Sequence, residues 1–409
     1  MKSMEEATSP HVALLTAGRD HPYAFGMGTA LMAAGICVDI IGADDLDHPQ
    51  WYNNAHVRFL NMRGDLSTTA SFSKKVTRVL AYYTRLLWYA LTTRANLFHI
   101  LWNNKFETFD RIPLMLFYKF CGKATLLTVH NVNARERDST DSWWNRLTLR
   151  GQYRLADHLF VHADQMKKEL VESYGVSPQK ISVIPFGINN AVPNTALLPS
   201  EARQRLGISM KERTILFFGN IAPYKGLEYL IEAFHLVISK GGDYRLIIAG
   251  NPKNCDSYWD KIRETIEQHQ SRDQVLERIK FIPDAETEMY FKAADILVLP
   301  YKHVYQSGVL FLGYSFGLPV IATDVGGLRE GIVEGRTGWV CKPEDAEALA
   351  RAIETYFASD LYHNLESRRS EIQQYALERH SWSIVTRLTV SVYRQLLSGQ
   401  RQEKSFVST

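Results

Sequence analysis

Short apolar runs, each closed by a glycine or a small polar residue and followed by a helix-like pattern, recur along this chain and restrict it to an α/β fold. In the first half they fall at 11–16, 37–41, 98–102, 125–130, 158–162 and 181–185. In the second half they fall at 214–219, 244–250, 279–283, 296–300 and 320–323. Alternating strands and helices of this kind read as parallel strands with crossover helices. The runs form two separate sets, which implies two Rossmann-like, doubly wound parallel-sheet domains with a cleft between them. The stretch 189–200 holds Pro193, Pro199 and little apolar periodicity, so it reads as a linker with the boundary near 195. The first domain is therefore expected over 1–195 and the second over 201–380, followed by a last helical pattern from about 382.

Length agrees, because 409 residues exceed the ~250–300 at which single cores stop growing. The formal charge of +3 is too small for a nucleic-acid footprint, and no nucleic-acid-binding signature occurs along the chain. Cys37, Cys121, Cys255 and Cys341 stand far apart, with no metal-ligand spacing, and read as reduced thiols of a cytoplasmic protein. The segment 1–10 lacks the apolar core of a secretion signal, and no run reaches the ~18 apolar residues needed to span a bilayer.

Four segments carry chemistry. Gly26-Met27-Gly28 follows the first run and is expected to open a helix reaching about Ala34, where glycines let a ligand approach backbone N–H groups. It fails as a dinucleotide fingerprint, since Leu31 stands where a third glycine belongs. Thr128-Val129-His130-Asn131-Val132-Asn133 sits at the carboxyl end of a strand, where open parallel sheets place ligand contacts, so His130 is a candidate for hydrogen bonding to a sugar. In the stretch 217–226, Lys225 lies in a turn bounded by Pro223 and Gly226, just before a helix over 227–237. The helix dipole disfavours a cation there unless an anion accompanies it. In the stretch 299–310, Ser307 reads as an N-cap and Gly308 frees the backbone of a helix over 309–316, a second N-terminus suited to phosphate.

In order and spacing these segments resemble the retaining GT-B glycosyltransferases of family four, over nearly the whole chain. The residues at 26–28 look like that family's N-terminal glycine loop, 128–130 its strand-end histidine, 184–187 its domain-ending turn and 219–226 its lysine turn. Asp324-Val325-Gly326-Gly327-Leu328-Arg329-Glu330, with Gly335 and Gly338 beyond, is similar to its C-terminal signature. The resemblance implies a nucleotide diphosphate sugar held mostly by the second domain, a saccharide or lipid-linked acceptor on the first, no essential metal and no further cofactor. It also implies that a helix over 382–400 returns to the first domain. Lys225 would touch the diphosphate, His130 the donor sugar, and the start Ser307-Gly308-Val309 the distal phosphate. Gly26, Gly28, Asn220 and Gln306 complete the expected donor set.

Two departures qualify this picture. The family's paired glutamates would fall at Val304 and Leu312, and its phosphate arginine at Asn220 or Ala222. A subgroup with a Gln-Ser-Gly-Val helix start resembles this chain most. Retaining transfer would then need no protein nucleophile, with the departing phosphate taking the acceptor's proton. A catalytically silent partner subunit and a nucleotide-sugar epimerase stand as rival readings. Finally, 74–94 holds five basic residues, no acid and many apolar ones. It is either a peripheral contact to the inner membrane surface or a helix packed on the first sheet.

Overall fold

The computed structural model describes residues 10–407 except 19, 66–70, 139, 190–191, 253–254 and 270. The N-terminal reading therefore lies almost wholly outside the described residues. The first sheet contains β1 (His11–Leu15), β2 (Cys37–Gly42), β3 (Val57–Asn61), β4 (Leu97–Ile100), β5 (Ala124–Thr128), β6 (His158–Val161) and β7 (Ile181–Val183). Their order is β3-β2-β1-β4-β5-β6-β7. The second sheet contains β8 (Arg213–Phe218), β9 (Tyr244–Gly250), β10 (Val275–Ile279), β11 (Ile296–Leu299), β12 (Val320–Thr323) and β13 (Gly338–Cys341), in the order β10-β9-β8-β11-β12-β13. Every ladder is parallel. Strands β4, β5, β6 and β11 are buried at every position, as two-sided burial requires.

The strands that the sequence reading lost or displaced are edge strands. β3 and β13 were not expected, and β10 lies at Val275–Ile279 rather than 279–283. An edge strand leaves one rim and part of a face in water, so β3 and β10 carry Arg58, Glu277 and Arg278 among their apolar residues and lose the continuous run.

The chain divides into two compact units, Met1–Gly187 with Trp382–Thr409, and Ile188–Ser381. The crossing falls at Gly187 and Ile188 rather than near 195. Thr195 is already tied to the second unit, because its N–H and hydroxyl both donate to Glu288 at 2.8 Å.

The helix His21–Ala33 begins upstream of its expected start. Asp20 supplies the N-cap, its carboxylate accepting from the Tyr23 N–H at 3.4 Å, and Pro22 occupies the first turn. Gly26 and Gly28 consequently lie inside the helix, and their role as a ligand-facing loop at a helix start is corrected. Their small size serves packing. A Cβ on Gly26 would fall within the Trp382 indole, and one on Gly28 would approach Ile40 Cδ1 to 3.0 Å. Gly187 meets the same indole from the end of the first unit, where a Cβ would stand 2.6 Å from Trp382 Cε2.

Trp382 opens the helix Trp382–Val407, whose Val385, Val390 and Tyr393 join the core built on β1, β2 and β4. Tyr393 also reaches His99 at the sheet's centre, with Oη 2.6 Å from Nδ1, while His99 Nε2 lies 2.7 Å from Thr128 Oγ1. No helix among the described residues is long and apolar enough to cross a membrane.

Trp382→Ala is expected to cost the first unit about 3–5 kcal/mol, since it empties a buried indole site. Gly26→Val should be similarly damaging, and the double variant should lose less than the sum because both changes act on one contact. Urea unfolding of the three variants tests this, and additive losses would refute the shared contact.

Candidate functional site

Each sheet reverses its winding once, and ligands of doubly wound folds bind outside the strand ends at that switch point. In the second sheet the switch separates β8 from β11. The loop after β8 runs through Gly219 into a 3₁₀ turn, Pro223–Lys225, and then into the helix Leu227–Ile238. Gly226 makes that tight entry, with φ +61° and the Pro300 carbonyl where a Cβ would stand. The turn buries Lys225, with Nζ 5.2 Å from the centroid of the Tyr301 ring.

The loop after β11 supplies Tyr301 and leads to the helix Gly308–Ser315. Gly219 lies where the two loops meet. A Cβ there would be 3.0 Å from Lys225 Nζ and 3.6 Å from Val309 Cγ2. The lysine turn and the helix start thus stand side by side, one cation beside the first-turn N–H groups, of which that of Leu310 donates to the Ser307 carbonyl at 3.2 Å. Tyr301 Oη lies 3.5 Å from Ser307 Oγ, and burial, only partly offset by that hydrogen bond, pushes the phenol up to about 12.

Ser307 occupies the N-cap position but its side chain caps nothing. Instead, Gln306 Oε1 accepts from the Ser307 N–H at 3.0 Å. Asn220 is exposed in the first loop. Val304 and Leu312 are buried apolar residues, so no carboxylate occupies either position.

In the first unit, His130 lies just beyond β5. Its ring stacks on Trp102 at 4.2 Å with a 1° interplanar angle, and Tyr23 packs edge-on at 4.7 Å. His162, at the end of β6, fixes its protonation. His162 Nδ1 lies 3.2 Å from the Ile184 carbonyl, which can only accept, so Nδ1 carries the proton. In the neutral ring Nε2 is then the acceptor, and His130 Nδ1 donates to it at 3.3 Å. His130 is left with a bare Nε2, a buried acceptor with no partner among the described residues. Burial, with His162 and His99 beside it, holds the His130 pKa well below the usual histidine value, which keeps the ring neutral.

His130 lines a cavity of about 400 Å³ together with Trp102, Asn131, Arg111, Arg135 and Tyr153. Arg111 is buried. Its Nη1 donates to Asn145 Oδ1 at 2.8 Å and its Nη2 to Glu107 Oε2 at 2.9 Å, while Nε has no partner among the described residues. The cavity is therefore walled by one residue with an unsatisfied acceptor and one with an unsatisfied donor. Arg111, Trp102 and His162 were not anticipated. Arg111 lies in a π-helical turn, Asp110–Leu114, with no motif around it, and His162 looks like an ordinary strand-end residue.

Residues 23–192 match the family Glycosyltransferase Family 4, and residues 212–359 match Glycosyl transferases group 1. The chain is 26% identical over 279 residues to the D-inositol 3-phosphate glycosyltransferase of Corynebacterium urealyticum, covering 66% of this chain and 64% of that protein. It is 27% identical over 283 residues to the Corynebacterium glutamicum enzyme of the same name, covering 68% and 66%. The matched region thus spans a little under two thirds of those relatives. Sucrose-phosphate synthase from Thermosynechococcus elongatus shares the fold, with a TM-score of 0.73 and 19% identity over 96% of this chain and 100% of the other. The Anabaena protein HepE in complex with UDP-glucose does so with a TM-score of 0.70 and 15% identity over 94% and 99%. The two parallel-sheet domains have the GT-B architecture of these structures.

Nitrogen-15 NMR of histidine-labelled protein at neutral pH should show His130 protonated at Nδ1 and bare at Nε2, and a protonated Nε2 would refute the tautomer chain. Burial, and secondarily His158, lowers the His99 pKa to about 3. The unfolded chain then binds a proton below about pH 6.5 that the folded chain refuses, so stability falls as pH drops from there towards 3. His99 alone should remove ~2 kcal/mol by pH 5. A urea midpoint that holds steady from pH 7 to 5 would contradict this.

Proposed function

We propose that this chain, whose residues 23–192 match Glycosyltransferase Family 4, is a GT-B glycosyltransferase of that family that moves a sugar from a nucleoside diphosphate sugar to a hydroxyl of a saccharide or lipid-linked acceptor. The carrying observation is the convergence of Lys225 and the Gly308–Ser315 helix start on Gly219, at the switch point of the second sheet. One cation with oriented N–H groups suits a diphosphate in both its bound and departing states. The HepE complex with UDP-glucose supports a donor of this chemical class.

Transfer proceeds with retention and without a metal. The bond from the sugar's anomeric carbon to the phosphate oxygen breaks as the acceptor oxygen bonds to the same face. The acceptor proton passes to the departing phosphate, whose charge is met by Lys225 and the helix start. Buried Val304 and Leu312 favour this route, because neither position offers a carboxylate nucleophile. His130 accepts a hydrogen bond at Nε2 from a hydroxyl of a bound sugar. Arg111 Nε donates to an oxygen of a ligand in the first unit's cavity.

Lys225→Ala should lower transfer by about 10²-fold or more with the fold retained. The assay incubates purified protein with a panel of nucleotide sugars and follows free nucleoside diphosphate. Unchanged turnover by a folded Lys225→Ala protein would sink the assignment. Sugar conversion without release would mean epimerisation, and neither product would mean a silent partner subunit.

A further inference from the structure

The helix Phe72–Thr92 has two apolar faces, and the fold uses only one. Its inner face is fixed by buried hydrogen bonds, Tyr89 Oη to Asp39 Oδ2 at 2.6 Å and Tyr83 Oη to Asp110 Oδ1 at 2.8 Å. Tyr82, Leu86 and Ala90 pack beside them. That rotation turns Val76, Leu80, Trp88 and Leu91, which recur at helical spacing, towards solvent. Trp88 is 68% exposed and Leu80 61%, a large apolar outlay for a solvent-facing side.

A second exposed group meets the inner edge of the helix at Tyr83. Tyr83 contacts Phe106 and Phe109, with centroids at 6.0 and 5.1 Å, and both phenylalanines are exposed. Between them, Thr108 Oγ1 accepts from Trp144 Nε1 at 3.4 Å. Trp144 packs edge-on against Trp143, which is 74% exposed. Segments far apart in sequence thus each leave large aromatic or apolar side chains exposed on the first unit.

The charge beside it selects the occupant. The helix carries Lys74, Lys75, Arg78 and Arg85 and no acidic residue; Arg78 also pairs with Asp65 at 3.4 Å and Arg85 donates to the Met62 carbonyl at 3.2 Å, so the positive charge lies on the flank of the helix beside its apolar face. We propose that this surface docks on an anionic lipid bilayer, its tryptophans and leucines entering the interface while the cations meet headgroup phosphates. A second copy of the chain fits less well, because a two-fold contact sets these cations against their own equivalents. The docking does not depend on the transfer reaction.

The test is flotation of the full chain with phosphatidylcholine vesicles, with and without phosphatidylglycerol. Wild type should float with the anionic vesicles only, and less as salt is raised. Leu80→Ser with Trp88→Ser, and separately Trp143→Ser with Trp144→Ser, should each lower vesicle partitioning by at least about tenfold with unchanged thermal unfolding. Lys225→Ala should float like wild type, which separates this surface from the transfer chemistry. The proposal is overturned if wild type ignores anionic vesicles, or if either folded double variant floats undiminished. It is equally overturned if gel filtration shows a wild-type dimer that the double variants abolish while vesicles capture neither.

Discussion

A parallel sheet in water needs helices over both faces, and the first unit closes one of its faces with a segment from the far end of the chain. The bonds Thr128 to His99 to Tyr393 fasten that segment at the sheet's centre. A neutral His99 suits two hydroxyls, since one ring nitrogen donates, the other accepts, and each hydroxyl rotates to match. The same depth that makes this junction strong in neutral solution makes it intolerant of protons. The Trp382 indole extends the junction, resting on helix His21–Ala33 at Gly26 and on the end of the unit at Gly187. Position and protonation of His130 follow from this frame, because Tyr23 of the same helix and His162, just past β6, hold its ring.

How far the fold was legible in sequence depended on burial. Strands covered on both faces, such as β5 and β11, are unbroken apolar runs and were located closely. β3, β10 and β13 lie at edges; polar residues interrupt β3 and β10, β13 is only four residues long, and pattern alone missed or displaced them. The lysine turn was legible because Pro223, Lys225 and Gly226 constrain one another locally. The start of helix His21–Ala33 was not, since the glycines drew attention to a position whose role is steric and depends on a residue more than three hundred positions away.

The candidate site divides along the same line. Lys225 and the helix start are each announced by turn and cap residues, and their meeting at Gly219 follows from the neighbouring positions of β8 and β11. By contrast, the proton on His130 is set through His162 by the Ile184 carbonyl, a backbone group that no side-chain pattern records. Arg111 owes its burial to a π-helical turn and to Asn145 and Glu107, none of which forms a motif. The long basic helix packs one face on the first unit through its tyrosines and leaves apolar side chains of the other in solvent.

The placement of Trp382 and Tyr393 also bears on how the chain is made. A ribosome that has released residues 10–187 has delivered every strand of the first sheet but not the helix that covers β1 and β4. The second unit, Ile188–Ser381, is continuous and can close its core while translation still lacks the last turns of the first. During that interval the indole sites at Gly26 and Gly187 stand open to water. The earlier-born unit is therefore the later to mature, and it is the one a chaperone would be asked to guard.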